Sequence, residues 1–270
     1  HDESFARKLK RRVHAYRKVP GIWREERFRR KVAKRVDAAI CVSLSMQRYS
    51  QSFLKIAASK VIPNGADALG YEDIKRRAEG QTQGKPFTVL YSGSAIYPWQ
   101  GLNYLKEVVT LAEAAGEDIR FLVAVNQLTD AVPKGANVDV RVGMDRDALM
   151  TEICNADVCL SIQPEFFWSR WKFHGSPMKL FEYMGCGSLV LASNIGQMKE
   201  LLSDGENGLL CKSEPSDIFR QILFAKENPE RKVRMAHAGY ELIAKELNWD
   251  CGVDKTIALF DSLVAKPSLK

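Results

Sequence analysis

The chain has 270 residues, of which 46% are hydrophobic and 27% are charged, a composition typical of soluble globular proteins. This length accommodates one large domain or two small ones. No apolar run approaches the roughly 18 residues of a membrane-spanning helix, and the first residues lack the apolar core of a signal peptide. These patterns predict neither a spanning helix nor a signal sequence in these residues.

The formal net charge of +7 is unevenly distributed, because residues 1–36 carry a balance of +10 and the remainder carries −3. Within this basic segment, apolar residues recur at helical spacing and are flanked by cations. They are Phe5, Leu9, Val13 and Tyr16. Such a face packs on a neighbouring domain or binds an anionic membrane surface. No nucleic-acid-binding module accompanies the basic run, so no nucleic-acid partner is expected.

The six cysteines lie mostly in apolar runs and lack the spacing of metal ligands. We therefore expect reduced core residues in a cytoplasmic protein. Asp145-Arg146-Asp147 resembles a metal-binding Asp-x-Asp signature, but it follows a strand and opens a helix, so helix capping explains it. Neither a metal nor another cofactor is expected.

Alternating strands and helices predict an α/β fold with a doubly wound parallel sheet from Phe87 onwards. The predicted strands lie at 37–43, 87–92, 119–125, 138–142, 157–162, 188–193 and 208–211. The predicted helices lie at 22–36, 44–57, 101–115, 145–155, 176–186, 196–203, 214–227, 230–246 and 250–264. In such sheets ligands bind at the carboxyl ends of the strands, so the loops after 92, 142, 162 and 193 are the predicted site.

The most informative segment is Ser-Pro-Met-Lys-Leu-Phe-Glu-Tyr-Met-Gly-Cys-Gly at 176–187. Ser176 suits the N-cap of a short helix, and Pro177 and Met178 suit its first turn. The start of this helix can bind a phosphate through its free N–H groups and its dipole. Glu182 falls on the second turn, where it can accept hydrogen bonds from a ribose.

This segment resembles the donor-sugar motif of retaining GT-B glycosyltransferases, the group 1 or family 4 class. Three further pieces occur in the same order as in that family, so the resemblance extends from about Arg24 to Leu263. They are Val-Asp-Ala-Ala-Ile-Cys-Val-Ser at 36–43, Val-Ile-Pro-Asn-Gly-Ala-Asp at 61–67 and Gly-Glu-Asn-Gly-Leu at 205–209. The resemblance implies a complete Rossmann-like C-terminal domain and an incomplete second Rossmann-like part before it.

The resemblance also implies the domain boundaries. Residues 1–64 would be the tail of the N-terminal domain, and 65–86 a linker. Residues 87–248 would form the donor-binding domain, and 249–270 a C-terminal helix that crosses back.

The family motif implies site residues, some of which differ here. Gly93 permits close approach of a phosphate, and Val142 and Gly143 would hold the nucleobase through backbone groups. Ser94 and Gln100 replace the two cations that the family places on the diphosphate, so Lys179 is a candidate replacement.

His174 stands where the family has the carboxylate that contacts the donor sugar. It lies in an aromatic loop whose Arg170 and Lys172 could bind an anion or pack on the missing domain. His1 either lies near the reacting centre or is a tag remnant. Glu200 fits a family acidic position near the sugar or an ordinary surface position.

The resemblance implies transfer of a sugar, with retention, from a nucleoside-diphosphate sugar to a glycan or lipid acceptor that the sequence does not identify. The expected setting is cell-envelope polysaccharide or glycolipid synthesis, by a cytoplasmic enzyme that is peripheral on the inner face of the membrane. The absent cations favour an alternative, a non-catalytic protein that binds a nucleotide sugar or serves as a scaffold.

Overall fold

The computed structural model describes residues 24–70, 72, 86–164 and 175–265. The apolar stripe predicted within residues 1–20 lies outside the described residues. So does most of the aromatic loop between the fourth strand of the predicted domain and its helix.

The strands alternate with helices along most of the described chain. The strands are β1 (Ala39–Cys41), β2 (Ser59–Val61), β3 (Phe87–Gly93), β4 (Ile119–Val125), β5 (Val138–Val142), β6 (Val158–Ser161), β7 (Leu189–Ser193) and β8 (Leu209–Cys211). The helices are α1 (24–33), α2 (Leu44–Tyr49), α3 (Leu102–Ala114), α4 (Arg146–Asn155), α5 (Met178–Gly185), α6 (Gly196–Leu201), α7 (Pro215–Glu227), α8 (Pro229–Lys245) and α9 (Trp249–Val264).

Six strands form one parallel sheet in the order β5-β4-β3-β6-β7-β8. The chain runs from β3 outwards to β5 and then crosses back to place β6 beside β3. The strand order therefore reverses between β3 and β6, and ligands bind at such a switch point in open α/β sheets. The predicted doubly wound parallel sheet is confirmed, and the bounds of its strands and of the helices from α3 to α9 agree with the sequence prediction within two residues.

Both faces of the sheet are buried beneath helices, which explains why its strands are apolar without alternation. On one face, Val89 and Phe121 pack with residues of α3 and α7. On the other, Leu90 and Leu122 pack with residues of α4 and α5. This two-sided core fixes the edge of the sheet on which the strands end.

The cysteines are core residues rather than a cross-linked framework. No disulfide joins any of the six, all of which lie in the described part of the chain, and four of them are buried. Burial raises the pKa of Cys211 to about 12, so its thiol stays protonated at neutral pH. Burial of these four cysteines agrees with the predicted core positions, whereas Cys154 and Cys251 are only partly buried.

The segment before the large sheet differs from the sequence prediction. β1 and β2 form a two-stranded parallel sheet with α2 between them, whereas no strand was predicted at 59–61. The predicted helix at 44–57 is wrong only beyond Leu54, because α2 continues after Tyr49 as a wider helical turn, Ser50–Leu54, that ends at Lys55. Lys55 has a φ of 64°, and this left-handed conformation ends helices.

A carboxylate joins this small sheet to the large one. Glu200 of α6 accepts hydrogen bonds from the backbone N–H groups of Leu44, at 2.8 Å, and Ser45, at 3.2 Å. Next to it, the buried Gln197 donates to the carbonyl of Val42. Glu200 thus satisfies donors at the start of α2 that have no partner within the helix.

The segment that crosses between the two sheets packs against the end of α5. The carbonyl of Gly185 accepts hydrogen bonds from the backbone N–H groups of Leu69, at 2.7 Å, and Gly70, at 3.0 Å. A Cβ atom on Gly185 would lie 2.3 Å from the carbonyl oxygen of Asp67. Only glycine fits at the end of α5, because the backbone of the crossing segment occupies the side-chain space.

The helix α9 has an exposed apolar face. None of its residues is buried, and five large apolar side chains recur at helical spacing, each more than 40% exposed. They are Trp249, Val253, Ile257, Phe260 and Val264. Among the described residues, no helix is both long enough and apolar enough to cross a bilayer.

The Glu200 contact predicts a local stability effect. Glu200→Ala should lower the free energy of unfolding by about 1–2 kcal/mol, because it removes charge-assisted hydrogen bonds at a helix start. Hydrogen exchange should show the loss of protection concentrated at the amides of Leu44 and Ser45. Glu206→Ala, at an exposed position of a nearby turn, is the control. Equal exchange rates in wild type and Glu200→Ala would contradict the prediction.

Candidate active site

The switch point opens because β3 and β6 separate before they end. Their pairing stops at Leu90 and Cys159, although β3 continues to Gly93. Beyond that point the backbone N–H of Ser92 donates to the hydroxyl of Tyr183 at 2.9 Å, and the Ser92 hydroxyl lies 2.8 Å from the same oxygen. The side chain of Tyr183 from α5 therefore takes the place of a neighbouring strand, and α5 is fixed against the end of β3.

Lys179 contacts other residues that the sequence predicts for the site, in the crevice between the ends of β3 and β6. Its ammonium donates to Oε1 of Gln100 at 2.8 Å and lies 4.4 Å from the ring centroid of Tyr91. A Cβ atom placed on Gly93 would lie 2.7 Å from the same ammonium. The predicted residues Gly93, Gln100 and Lys179 therefore meet at the carboxyl end of β3.

Gly93 leaves space that these groups use. Its missing side chain leaves room for the Lys179 ammonium, and a Cβ atom would also come within 2.9 Å of Gln100 Oε1 and of the Tyr91 hydroxyl. Contacts this short do not occur between real Cβ atoms and their neighbours, so any larger residue would displace one of these groups. The glycine allows a cation to approach the backbone at the strand end.

The ionisation of Lys179 is shifted strongly by its surroundings. Desolvation lowers its pKa from 10.5 to about 7, and the charge of Glu182 on the same helix partly opposes this shift. The Gln100 amide is uncharged, so it accepts a hydrogen bond without compensating the charge of the ammonium. An anionic ligand beside Lys179 would supply the missing compensation.

The start of α5 differs from the sequence prediction. Pro177, not Ser176, occupies the N-cap position, and no side chain of the described residues caps the first turn. Ser176 is engaged elsewhere, because its hydroxyl accepts a hydrogen bond from the side-chain amide of Asn64 at 2.7 Å. Met178 begins the helix and is 38% exposed. The uncapped helix start retains N–H groups that can bind an anion.

A second group of predicted residues lies where β5 ends. Val142 is exposed, and Gly143 adopts a left-handed conformation with a φ of 66° in the turn before α4. Arg146, the first residue of α4, contacts Glu182 through Nη1 at 2.9 Å from Oε1. The side chain of Glu182 is 19% exposed, so its carboxylate remains accessible beside the arginine. This ion pair connects the β5 turn with α5.

Ser94 and Asp145 have local structural partners. The Ser94 hydroxyl accepts a long hydrogen bond, 3.4 Å, from the backbone N–H of Ile96, within its own turn. Asp145 accepts from the backbone N–H of Ala148 at 2.9 Å and caps α4, as the sequence predicts. Neither residue contacts Lys179 through a hydrogen bond in the described part of the chain.

The remaining candidates lie outside the described residues. These are His1, His174, Arg170 and Lys172. Their predicted roles in the reaction remain predictions.

The comparisons with known proteins agree with this architecture. Residues 106–257, more than half of the chain, match the family described as glycosyl transferase-like. The chain belongs to this glycosyltransferase family. An uncharacterised glycosyltransferase of Methanocaldococcus jannaschii is 22% identical over 249 residues, which cover 86% of this chain and 60% of the relative.

Solved glycosyltransferase structures share the fold. Sucrose-phosphate synthase of Thermosynechococcus elongatus superposes with a TM-score of 0.69 at 19% identity, covering 87% of this chain and 60% of that one. HepE of Anabaena, solved in complex with UDP and glucose, superposes with a TM-score of 0.66 at 19% identity, covering 88% of this chain and 66% of that one. The chain thus spans about 60% of the length of the first relatives it matches. The superpositions establish the GT-B-type Rossmann-like fold.

In this glycosyltransferase family member, sequence reasoning missed two side chains of the site. Tyr91 was read as part of an apolar strand, and Arg146 was considered only within the Asp-Arg-Asp run. A signal for Tyr91 is its hydroxyl, which needs a hydrogen-bond partner when the residue lies in a buried strand. Arg146 carries no comparable signal, because an arginine in the first turn of a helix is usually solvated.

Gly93→Ala tests whether Lys179 needs the space at β3. We expect a folded protein whose affinity for a nucleoside diphosphate falls about tenfold, since displacing one charged hydrogen bond costs about 1.5 kcal/mol. Isothermal titration calorimetry measures the change, and Gly252→Ala, where nothing crowds the Cβ position, is the control. An affinity equal to that of wild type would show that the added methyl group is accommodated.

Lys179→Met tests the desolvation of the ammonium without any ligand. The pKa of Lys179 is about 7 in the folded protein, against 10.5 ordinarily. Between these values the unfolded chain holds a proton that the folded protein has lost, so this group opposes folding most at low pH and less as pH rises. The variant should therefore gain thermal stability relative to wild type at pH 6.5 and show a smaller difference at pH 9.5. A difference that is independent of pH would contradict the assignment, with Lys199→Met as the exposed control.

Proposed function

We propose that this protein binds a nucleoside-diphosphate sugar at the switch point and transfers the sugar to an acceptor. The observation that carries the proposal is the position of the Lys179 ammonium, between the end of β3 at Gly93 and the uncapped start of α5. HepE, which shares the fold, was solved with UDP-glucose as well as with UDP. That observation supports a nucleotide-sugar donor here.

The diphosphate would lie against α5. Lys179 provides a positive charge, and the first turn of the helix provides N–H groups without a side-chain cap. Both favour an anion, because the helix dipole and the ammonium act in the same direction. Their common task in the reaction is to stabilise the departing nucleoside diphosphate as negative charge develops on it.

The nucleoside would extend from this point towards β5. Glu182 lies one turn beyond Lys179 on α5, and its partly exposed carboxylate can accept hydrogen bonds from the two hydroxyl groups of a ribose. The exposed turn at Val142 and Gly143 offers backbone groups to a base. Arg146 keeps the carboxylate of Glu182 in a fixed orientation between these two points.

The finer features of the reaction are part of the proposal. We infer retention of configuration without a metal ion and a role for His174 and His1 near the transferred sugar, from the resemblance to the group 1 class. Holding the donor and stabilising the leaving group would supply catalysis. A glycan or lipid acceptor on the cytoplasmic face of a membrane, in cell-envelope synthesis, is the matching physiological setting.

A second candidate is a nucleotide-sugar-binding or scaffold protein without transferase activity. The observation that favours it is the polar but uncharged chemistry of Ser94 and Gln100. Gln100 is occupied by Lys179, and Ser94 is occupied within its own turn. A site with fewer cations stabilises a departing diphosphate less.

One experiment separates these functions. A thermal-shift screen of UDP, ADP, GDP and their glucose conjugates detects binding, because a ligand of the folded state raises the midpoint by mass action. Release of the nucleoside diphosphate from the conjugate that binds is then measured with an acceptor mixture of glycans and glycolipids. Binding with turnover supports the transferase, binding without turnover supports the second candidate, and no binding by any compound contradicts both.

Glu182→Ala should weaken the affinity for the nucleoside diphosphate found to bind by about 1.5–3 kcal/mol, or roughly 10- to 150-fold in Kd. The reason is the loss of a charged acceptor for two ribose hydroxyls. Calorimetry with the matching 2′,3′-dideoxynucleotide provides an internal check, since that ligand, which lacks the ribose hydroxyls, should lose much less affinity in the variant than the ribonucleotide does. Glu206→Ala is the matched control for the loss of one carboxylate. An unchanged Kd in a folded Glu182→Ala protein would remove Glu182 from the site.

A further inference from the structure

Three side chains form a closed set of contacts around the switch point. The Tyr91 hydroxyl donates to the backbone carbonyl of Gln100 at 2.9 Å. Oε1 of Gln100 accepts from the Lys179 ammonium at 2.8 Å, and that ammonium lies 4.4 Å from the ring centroid of Tyr91. Each residue therefore contacts the other two.

Two of these residues are anchored by the fold, whereas the third is a flexible side chain. Tyr91 is fully buried within β3. Gln100 ends a tight turn in which its backbone N–H donates to the carbonyl of Tyr97 at 3.0 Å. The next residue, Gly101, packs so closely that a Cβ atom there would lie 2.4 Å from the carbonyl oxygen of Ile162. The acceptor atom of Gln100 is thus attached to a backbone that is held against the end of β6.

A lysine side chain without such contacts would lose considerable conformational entropy on binding an anion. Here the hydrogen bond to Gln100 and the attraction to the Tyr91 ring fix the ammonium before any ligand arrives. The neutral amide also does not neutralise the charge of the protonated lysine, as a carboxylate at the same position would.

We propose that Gln100 and Tyr91 are positioning residues that hold the Lys179 ammonium at the end of β3 as the diphosphate-binding cation of this site. The inference rests on the nucleotide binding proposed above and adds which residues prepare the cation. Gln100 is then a residue that acts through Lys179 rather than a missing cation.

The groups that influence this ammonium can be named in the described part of the chain. Burial raises the pKa of Tyr91, so its hydroxyl stays protonated and continues to donate to Gln100. Glu182 on α5 favours the charged form of Lys179, and Arg146 of α4 is paired with that carboxylate. Gln100 itself does not titrate, so a change of its side chain alters the ionisation of Lys179 directly.

The first measurement follows the ionisation of Lys179 in the free protein. The ¹⁵Nζ resonance of Lys179, assigned by its loss in Lys179→Met, is titrated in wild type, Gln100→Glu and Gln100→Met. Gln100→Glu should raise the midpoint by about 1–3 pH units, as expected for an opposite charge at this distance. Gln100→Met should lower it by about 0.5–1 unit, because the acceptor that favours the charged form is gone. Equal midpoints in all three proteins would overturn the proposal.

The second measurement is a double-mutant cycle with UDP, ADP and GDP, each assayed alone by calorimetry at pH 7. Gln100→Met should lower the affinity for the diphosphate that binds by about fivefold when introduced into wild type. Introduced into Lys179→Met, it should lower the affinity no further. Tyr91→Phe, which keeps the ring, should follow the same pattern with a smaller loss. Lys199→Met is the control for removal of a lysine.

The possible outcomes separate the two proposals. If none of the three diphosphates binds wild type, the proposed function fails and the diphosphate role of Lys179 fails with it. If wild type binds but the effect of Gln100→Met is equally large in the Lys179→Met background, the proposed function stands and Gln100 acts through packing, which overturns the inference. Loss of the effect in that background, together with shifted midpoints, supports it.

Discussion

The separation of β3 and β6 at the carboxyl edge of the sheet is the constraint on which the site depends. Had the two strands stayed paired to their ends, the backbone at Ser92 would be satisfied by β6 and would leave no place for α5. Because pairing stops at Leu90, the hydroxyl of Tyr183 can take over this backbone group. The start of α5, and Lys179 with it, is thereby placed against the glycine that ends β3.

The opened edge creates a balance between desolvation and ligand binding. The Lys179 ammonium contacts an amide oxygen and an aromatic ring in place of water, and these partners solvate its charge less well. The lowered pKa of Lys179 reflects this cost of desolvation. A core position would normally avoid such a group. Groups with strongly shifted pKa values commonly occur at functional sites, and Lys179 lies at a switch point, where ligands bind in sheets of this kind.

Much of the fold could be predicted from the sequence because the large sheet is buried on both faces. Continuous apolar strands and amphipathic helices of ordinary length leave little ambiguity between Phe87 and Val264. The small sheet was predicted poorly, since β2 has three residues and cannot display a period. The helical turn that follows α2 ends at the left-handed conformation of Lys55, a residue that does not favour this conformation.

The candidate site was predicted in its residues but not in its contacts. The Ser-Pro pair at 176–177 has the composition of a capped helix start, yet the hydroxyl of Ser176 is taken by Asn64, more than a hundred residues earlier. The pairing of Lys179 with Gln100 spans 79 residues. Local patterns carry no information about such long-range partners, so they identify the candidates and not the geometry that joins them.

The contacts at the two ends of α5 have a consequence for motion. Asn64 contacts Ser176 just before the helix, and the backbone at Leu69 is hydrogen-bonded to Gly185 at its end. The crossing segment therefore runs alongside the whole length of α5, and neither can slide without breaking hydrogen bonds of the other. A rotation of the small sheet relative to the large one can leave α5 and the crossing segment together as one rigid part. Otherwise it must move the start of α5, where we propose that the diphosphate binds.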